Sequence, residues 1–282
     1  MLPGQYNYKQ LDELYISLDK QHVRRTRNIR LIPGVENRRG GKTSYAEWAH
    51  VIGIFQTLMF VHLTNRDNNR ILDVGCGTGL LGIASEPFLG RNGKYVGIDV
   101  MKTDIDFCND NYPPESFEFI HFDVNNPAYA PHQEGGKLPW PVDSASFDLV
   151  TALSVWTHLN EEDAIFYSGE VGRVLKPGGK VIITLFVLDE LYRQSLGMRT
   201  GEAGRYHMTS RDRWIFDTPA YDSDAWFSPK WAQVPETAIG ITGYGLDRLV
   251  AASGLELVEH YNGNWKEVPG VFFQDVLVLR KT

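Results

Sequence analysis

The chain has 282 residues, 43% of them hydrophobic and 22% charged, which is ordinary globular usage and excludes a disordered or fibrous protein. A net charge of −7 argues against non-specific nucleic-acid binding, and two cysteines, Cys76 and Cys108, cannot build a disulfide scaffold or a four-cysteine zinc site. The longest apolar run, Val51 to Val61, falls far short of the ~20 residues of a membrane span, and Met1 to Tyr6 holds no apolar signal core. No membrane span and a reducing, cytoplasmic setting are therefore expected.

In chain order, residues 6–20 place Tyr8, Leu11, Leu14, Tyr15 and Leu18 at helical spacing, which predicts a short helix. Residues 21–43 follow as a basic, glycine-punctuated loop. Within them, residues 24–42 carry Arg24, Arg25, Arg27, Arg30, Arg38, Arg39 and Lys42 against a single acid, Glu36. Such a segment is either the mouth of a site for an anionic group or a face solvated or paired with acids elsewhere. Ser44, with Glu47 three residues on, forms a capping box for a helix reaching about Leu63. The first 64 residues are thus expected to be a helical extension, and 65–282 the main domain.

From there short apolar runs alternate with helix-length segments. Strands are expected at Arg70–Val74, Lys94–Ile98, Phe117–Phe122, Phe147–Leu153 and Lys180–Val187, which means βαβ units and a parallel sheet covered on both faces. Residues 188–240 lose the rhythm and read as an insertion with short helices. A helix at Tyr244–Ser253 ends at Gly254, and Leu255–Tyr261 and Phe272–Leu279 form a closing antiparallel hairpin.

The sharpest motif runs from Ile71 to Gly82, where an aliphatic strand meets Gly75, Gly77 and Gly79 and then a helix-forming run. Glycines there allow a tight strand-to-helix turn and close approach of backbone to a ligand. Twenty residues past Gly79, Asp99 ends the next strand, placed to accept from a ribose diol. A dinucleotide fingerprint needs glycine where this chain has Leu80, and Asp73 at the loop entrance repels pyrophosphate. A cationic adenine nucleoside with an amino-acid tail fits better.

The stretch Asp73-Val74-Gly75-Cys76-Gly77-Thr78-Gly79 resembles the first motif of class I S-adenosylmethionine-dependent methyltransferases. The resemblance continues through Val96–Asp99, His121–Val124, Phe147–Val150 and Leu175–Gly179, covering about 65–188 and 243–281. It implies a Rossmann-like seven-stranded, mostly parallel sheet with an antiparallel last strand, an inserted lid, and S-adenosylmethionine as cofactor. Asp73, Gly75 and Gly77 would then line the methionine moiety, with Cys76 and Gly79 completing the loop. Asp99 would hold the ribose, Val100 and Met101 would pack near the adenine, and Asp123 with Val124 would receive its amino group. Leu153 and Ser154 would add contacts after the fourth strand.

For chemistry, His158 is the first titratable residue after that strand and suits a general base; it equally suits a helix cap. Asn126-Pro127-Ala128-Tyr129 departs from the signature of amino-methylating nucleic-acid enzymes in its position and its single proline. Asp189-Glu190 lacks a second acid after the fourth strand, so no metal is expected. Tyr206, Trp214, Phe216, Tyr221, Trp226, Phe227 and Trp231 in the insertion are candidates to stack on the acceptor, or to form the insertion's own small core. Ser154–Leu159, Thr184–Glu190 and Gly263–Trp265 resemble a methyltransferase subgroup associated with surface-glycan assembly. The expected activity is methyl transfer to a small-molecule or glycan acceptor, at oxygen. The alternatives are N- or C-methylation of a natural-product or lipid-like acceptor, and a non-catalytic scaffold that keeps the fold.

Overall fold

The computed structural model describes residues 5–6, 29–131 and 136–282. The expected helix over 6–20 lies outside them except at Tyr6, which with Gln5 forms a two-residue strand instead. Residues 29–43 are loop with two single-turn 3₁₀ helices, Ile29–Leu31 and Val35–Asn37.

Helix α1 (Tyr45–His62) starts at Ser44, whose side chain accepts from the Glu47 N–H while the Glu47 carboxylate accepts from the Ser44 N–H. Strand β1 (Arg70–Val74), α2 (Leu80–Ser85), β2 (Lys94–Asp99), α3 (Lys102–Asn111), β3 (Phe117–His121) and β4 (Phe147–Ala152) follow. The second half contributes α4 (Glu161–Val174), β5 (Leu175–Leu188), α5 (Glu190–Ser195), α6 (Gly243–Ser253), β6 (Glu256–Tyr261) and β7 (Asp275–Arg280). The main sheet runs β6-β7-β5-β4-β1-β2-β3, with β7 antiparallel to both neighbours and Gln5–Tyr6 added beside β6.

The period of two decides which face each side chain serves. Leu72 and Val74 join Val150, Val171 and Leu246 in one core, under α4 and α6. Ile71 and Leu149 join Phe55, Met59 and Ile83 in the other, under α1 and α2. Both faces are buried, as a parallel sheet requires.

Two strands differ from expectation. β5 begins at Leu175 because Leu175 pairs with Phe147 before the register shifts and Lys180 pairs with Leu149. β7 begins at Asp275, since Phe272 makes only an isolated bridge to Gly263. The insertion adds short strands as well as helical turns. Gly240–Thr242 pairs parallel with Phe186–Leu188, and Trp226–Ser228 pairs with Gly240–Thr242.

With β1 between β2 and β4, chain connections leave β1 in one direction and return to β4 on the other side. The crevice beyond their carboxyl ends is the topological switch point where open α/β sheets bind ligands.

Candidate active site

The crevice is a cavity of about 550 Å³, lined by the glycine loop, the ends of β2 and β4, and residues from the basic N-terminal segment. The loop docks on β2: the N–H groups of Gly75 and Cys76 both donate to the Ile98 carbonyl, at 2.8 and 3.1 Å. Gly75 has φ +67°, and a Cβ there would come within 2.5 Å of the Val155 side chain. Gly79, at φ +89°, would meet the Tyr112 hydroxyl at 2.3 Å. Both positions therefore exclude a side chain by conformation and by space.

Asp99 is the electrostatic centre. Its two carboxylate oxygens accept from the N–H groups of Met101 at 2.8 Å and Gly77 at 2.7 Å, which ties the loop to the tip of β2. Burial pushes its carboxyl up, and those two N–H bonds oppose the rise.

Asp73 also borders the cavity, but its carboxylate is engaged within the sheet. One oxygen accepts from Tyr95 at 2.5 Å and the other from Thr151 at 2.8 Å. Burial raises it to about 7, against both hydrogen bonds.

Cys76, Gly77, Val100, Met101, Val124, Leu153 and Ser154 border the cavity as expected, whereas Gly79 and Asp123 do not. Gly79 is buried behind the loop, and Asp123 faces solvent between Phe122 and Val124. Ser154 is held at φ +65°. Its N–H donates to Thr184 Oγ1 at 2.7 Å, and its hydroxyl accepts from Gln274 Nε2 at 2.8 Å.

His158 borders the same cavity. Its Nδ1 lies 2.7 Å from the Glu236 carbonyl oxygen, which only accepts, so Nδ1 carries the proton. Nε2 then presents its lone pair to the Tyr129 hydroxyl at 3.1 Å. Burial lowers the imidazole pKa, and the Glu236 carbonyl opposes the change. Asn126 donates to the His158 carbonyl at 3.1 Å, so the loop carrying Asn126 and Tyr129 borders the cavity beside His158.

Sequence reasoning also missed Trp48, Trp140 and Tyr167, which border the cavity and come from three separate segments. No local spacing marks them, because only folding brings those segments together.

Of the two roles open to the insertion's aromatics, stacking on the acceptor finds no support, since none of the seven borders the cavity. Trp214 and Phe216 each pack 5.1 Å from Phe186, centroid to centroid, in a satellite core with Tyr192 and Trp265. An insertion of this size needs an apolar centre of its own.

Asp189, His260 and Asp275 approach one another closely enough to suggest a cation site. Lys266 Nζ fills that role, 2.7 Å from both Asp189 and Asp275. Against the burial that raises it, Lys266 and His260 hold Asp275 well below the usual carboxylate range.

A glycine loop closing on an acid at the tip of β2, in a sheet with one antiparallel strand, defines a class I S-adenosylmethionine-dependent methyltransferase. A family profile described as a methyltransferase domain matches residues 65–217, and the chain belongs to that family.

It is 25% identical over 199 residues to 27-O-demethylrifamycin SV methyltransferase of Amycolatopsis mediterranei, covering 66% of this chain and 68% of that one. It is 31% identical over 125 residues to a ubiquinone/menaquinone biosynthesis C-methyltransferase of Pseudomonas putida, which is 43% of each chain. Among solved structures, an S-adenosylmethionine-dependent methyltransferase from Mesorhizobium loti superposes with a TM-score of 0.52 at 16% identity, over 79% of this chain and 96% of that one. Likeness at that identity concerns the fold.

The cofactor is thus S-adenosylmethionine, and the cavity edge formed by Gly75 and Gly77, with the Asp99 carboxylate beside it, suits a nucleoside with an extended tail. No helix among the described residues is long and apolar enough to cross a membrane.

Proposed function

We propose that the protein methylates a hydroxyl group of a small-molecule or glycan acceptor, with His158 as general base. The observation that carries this is the fixed tautomer of His158. The Glu236 carbonyl accepts from the Nδ1–H group, so Nε2 carries the lone pair, and an acceptor hydroxyl would replace the Tyr129 hydroxyl as its donor. When bound, S-adenosylmethionine supplies a methyl group already activated on a sulfonium. The protein's work is then to hold the acceptor in line and receive its proton.

Gly75, Cys76 and Gly77 hold the amino-acid end of the cofactor in this proposal. Asp99 accepts from the ribose hydroxyls, Val100, Met101 and Val124 enclose the adenine, and Leu153 and Ser154 form the floor. Tyr129, hydrogen-bonded to Nε2, occupies the direction from which an acceptor hydroxyl approaches. The first 64 residues act as an extension that adds α1 and one wall of the cavity to the domain over 65–282. Cys76 and Cys108 are both buried free thiols, which suits a cytoplasmic enzyme.

The test is an acceptor screen read by S-adenosylhomocysteine release, followed by His158→Ala on the acceptor found. Loss of a general base lowers kcat by about 10²–10⁴-fold, while cofactor affinity stays within about twofold. Because burial lowers the histidine pKa, the acid limb of kcat falls below the ordinary histidine value of 6.5. Full turnover in His158→Ala, or methylation only at nitrogen or carbon, contradicts the proposal.

A further inference from the structure

The basic N-terminal segment reaches the cofactor cavity through a short strap, residues 37–42. The strap lies across the glycine loop. Thr78 Oγ1 donates to the Asn37 carbonyl at 2.6 Å, and the Arg39 guanidinium grips both oxygens of buried Asp104 at 2.7–3.1 Å. The Arg39 stem covers Gly77, where a Cβ would lie 3.7 Å from it. At the far end Trp48 Nε1 donates to the Lys42 carbonyl at 3.3 Å.

Three Lys and Arg side chains border the cavity: Arg39, Lys42 and Lys137. Arg39 is neutralised by Asp104, and Lys137 is paired with Glu162. Lys42 differs from both. Among the described residues its ammonium makes no ion pair and donates only to the Gly40 carbonyl at 3.1 Å. The nearest acid that influences it, Glu47, is committed to the helix cap, accepting from Thr43 and Ser44. Burial lowers the Lys42 pKa and the Glu47 charge opposes the change, so the half-buried ammonium has no paired counter-charge among the described residues. A carboxylate arriving beside the glycine loop supplies that charge, and the amino-acid tail of the cofactor carries one.

We propose that Lys42 binds the carboxylate of S-adenosylmethionine, so that the strap, which lies outside the matched domain, completes the cofactor site. An anionic acceptor offers the same chemistry, and the experiment separates the two. S-adenosylhomocysteine and 5′-methylthioadenosine share the nucleoside thioether, but only the first carries the amino-acid carboxylate. Calorimetric titration of both ligands compares the wild type with Lys42→Met and Lys42→Arg. Lys42→Met is expected to weaken S-adenosylhomocysteine about ten- to a hundredfold, the scale of a hydrogen bond between charged groups, and 5′-methylthioadenosine by less than about twofold. Lys42→Arg is expected to retain most of the affinity, and added salt to weaken wild-type binding more than that of Lys42→Met.

Equal weakening of both ligands means that the side chain only supports the strap, which overturns the proposal. Unchanged affinity for both also overturns it, and leaves an anionic acceptor as the partner of Lys42.

Discussion

Asp99 shows how one side chain can both tie down a loop and border a cavity. Its hydrogen bonds to Gly77 and Met101 close the glycine loop onto β2, and the same carboxylate borders the cavity. Asp99→Ala is expected to weaken S-adenosylhomocysteine binding by about 1–3 kcal/mol, measured by calorimetry, and an unchanged affinity would remove the ribose assignment. Asp73 behaves differently although the motif sets the two side by side. Both its oxygens serve Tyr95 and Thr151, a division visible only once β1, β2 and β4 are adjacent. Asp99 was legible because it ends β2, whose carboxyl edge must face the crevice, and His158 because it is the first titratable residue beyond β4. The strap contacts of Arg39 and the Tyr129 hydrogen bond were not, because they rest on Gly77, Asp104 and His158, all far away in sequence.

At the scale of elements, local chemistry wrote most of the boundaries. The Ser44–Glu47 box starts α1, and Gly254 at φ +64° ends α6, both as the sequence predicts. The packing of α4 on α6 was not legible. Gly172 brings α4 so near the end of α6 that a Cβ would lie 2.0 Å from the Ser253 carbonyl oxygen, whereas at Gly169 the nearest atom is the Ala252 oxygen at 3.7 Å. Gly172→Ala is therefore expected to lower stability by about 1–3 kcal/mol, because overpacking outweighs the gain in helix propensity. Gly169→Ala, with room for the methyl group, is expected to be neutral or stabilising by up to about 1 kcal/mol. Thermal or urea denaturation of the pair checks the contrast, and equal effects would contradict this account of the helix contact. In the insertion, composition revealed an aromatic cluster but not its direction. Phe186 on β5 and Trp265 before β7 gather Trp214 and Phe216 into a satellite core, while Trp226 joins the main core and Tyr206 and Tyr221 stay exposed.

For the whole molecule, buried ionisable groups set the pH range of stability. Burial, with Lys180 nearby, brings the His62 imidazole down to about 3, while Tyr261 shares a 2.7 Å hydrogen bond with it. The unfolded chain takes up this proton near 6.5, so the contribution of His62 is complete above that pH and is lost as pH falls from 6.5 towards 3. The loss amounts to at most about 5 kcal/mol at 1.36 kcal/mol per pKa unit. Asp73, raised to about 7, acts in the opposite direction, losing stability as pH rises from 3.8 to 7. The difference between wild-type and His62→Gln unfolding profiles isolates the first effect, and parallel profiles across that window would contradict it. The sequence by itself determined the alternating sheet, the glycine turn, the acid at the tip of β2 and the cofactor class, because strand period, positive-φ glycines and residue spacing are local constraints. Tertiary structure alone decided that the N-terminal strap walls the cavity, that Trp214 and Phe216 pack with Phe186 and Trp265, and that the Glu236 carbonyl fixes the proton on His158. Those outcomes depend on which distant segments share buried surface and hydrogen-bond partners, and local spacing carries no record of that.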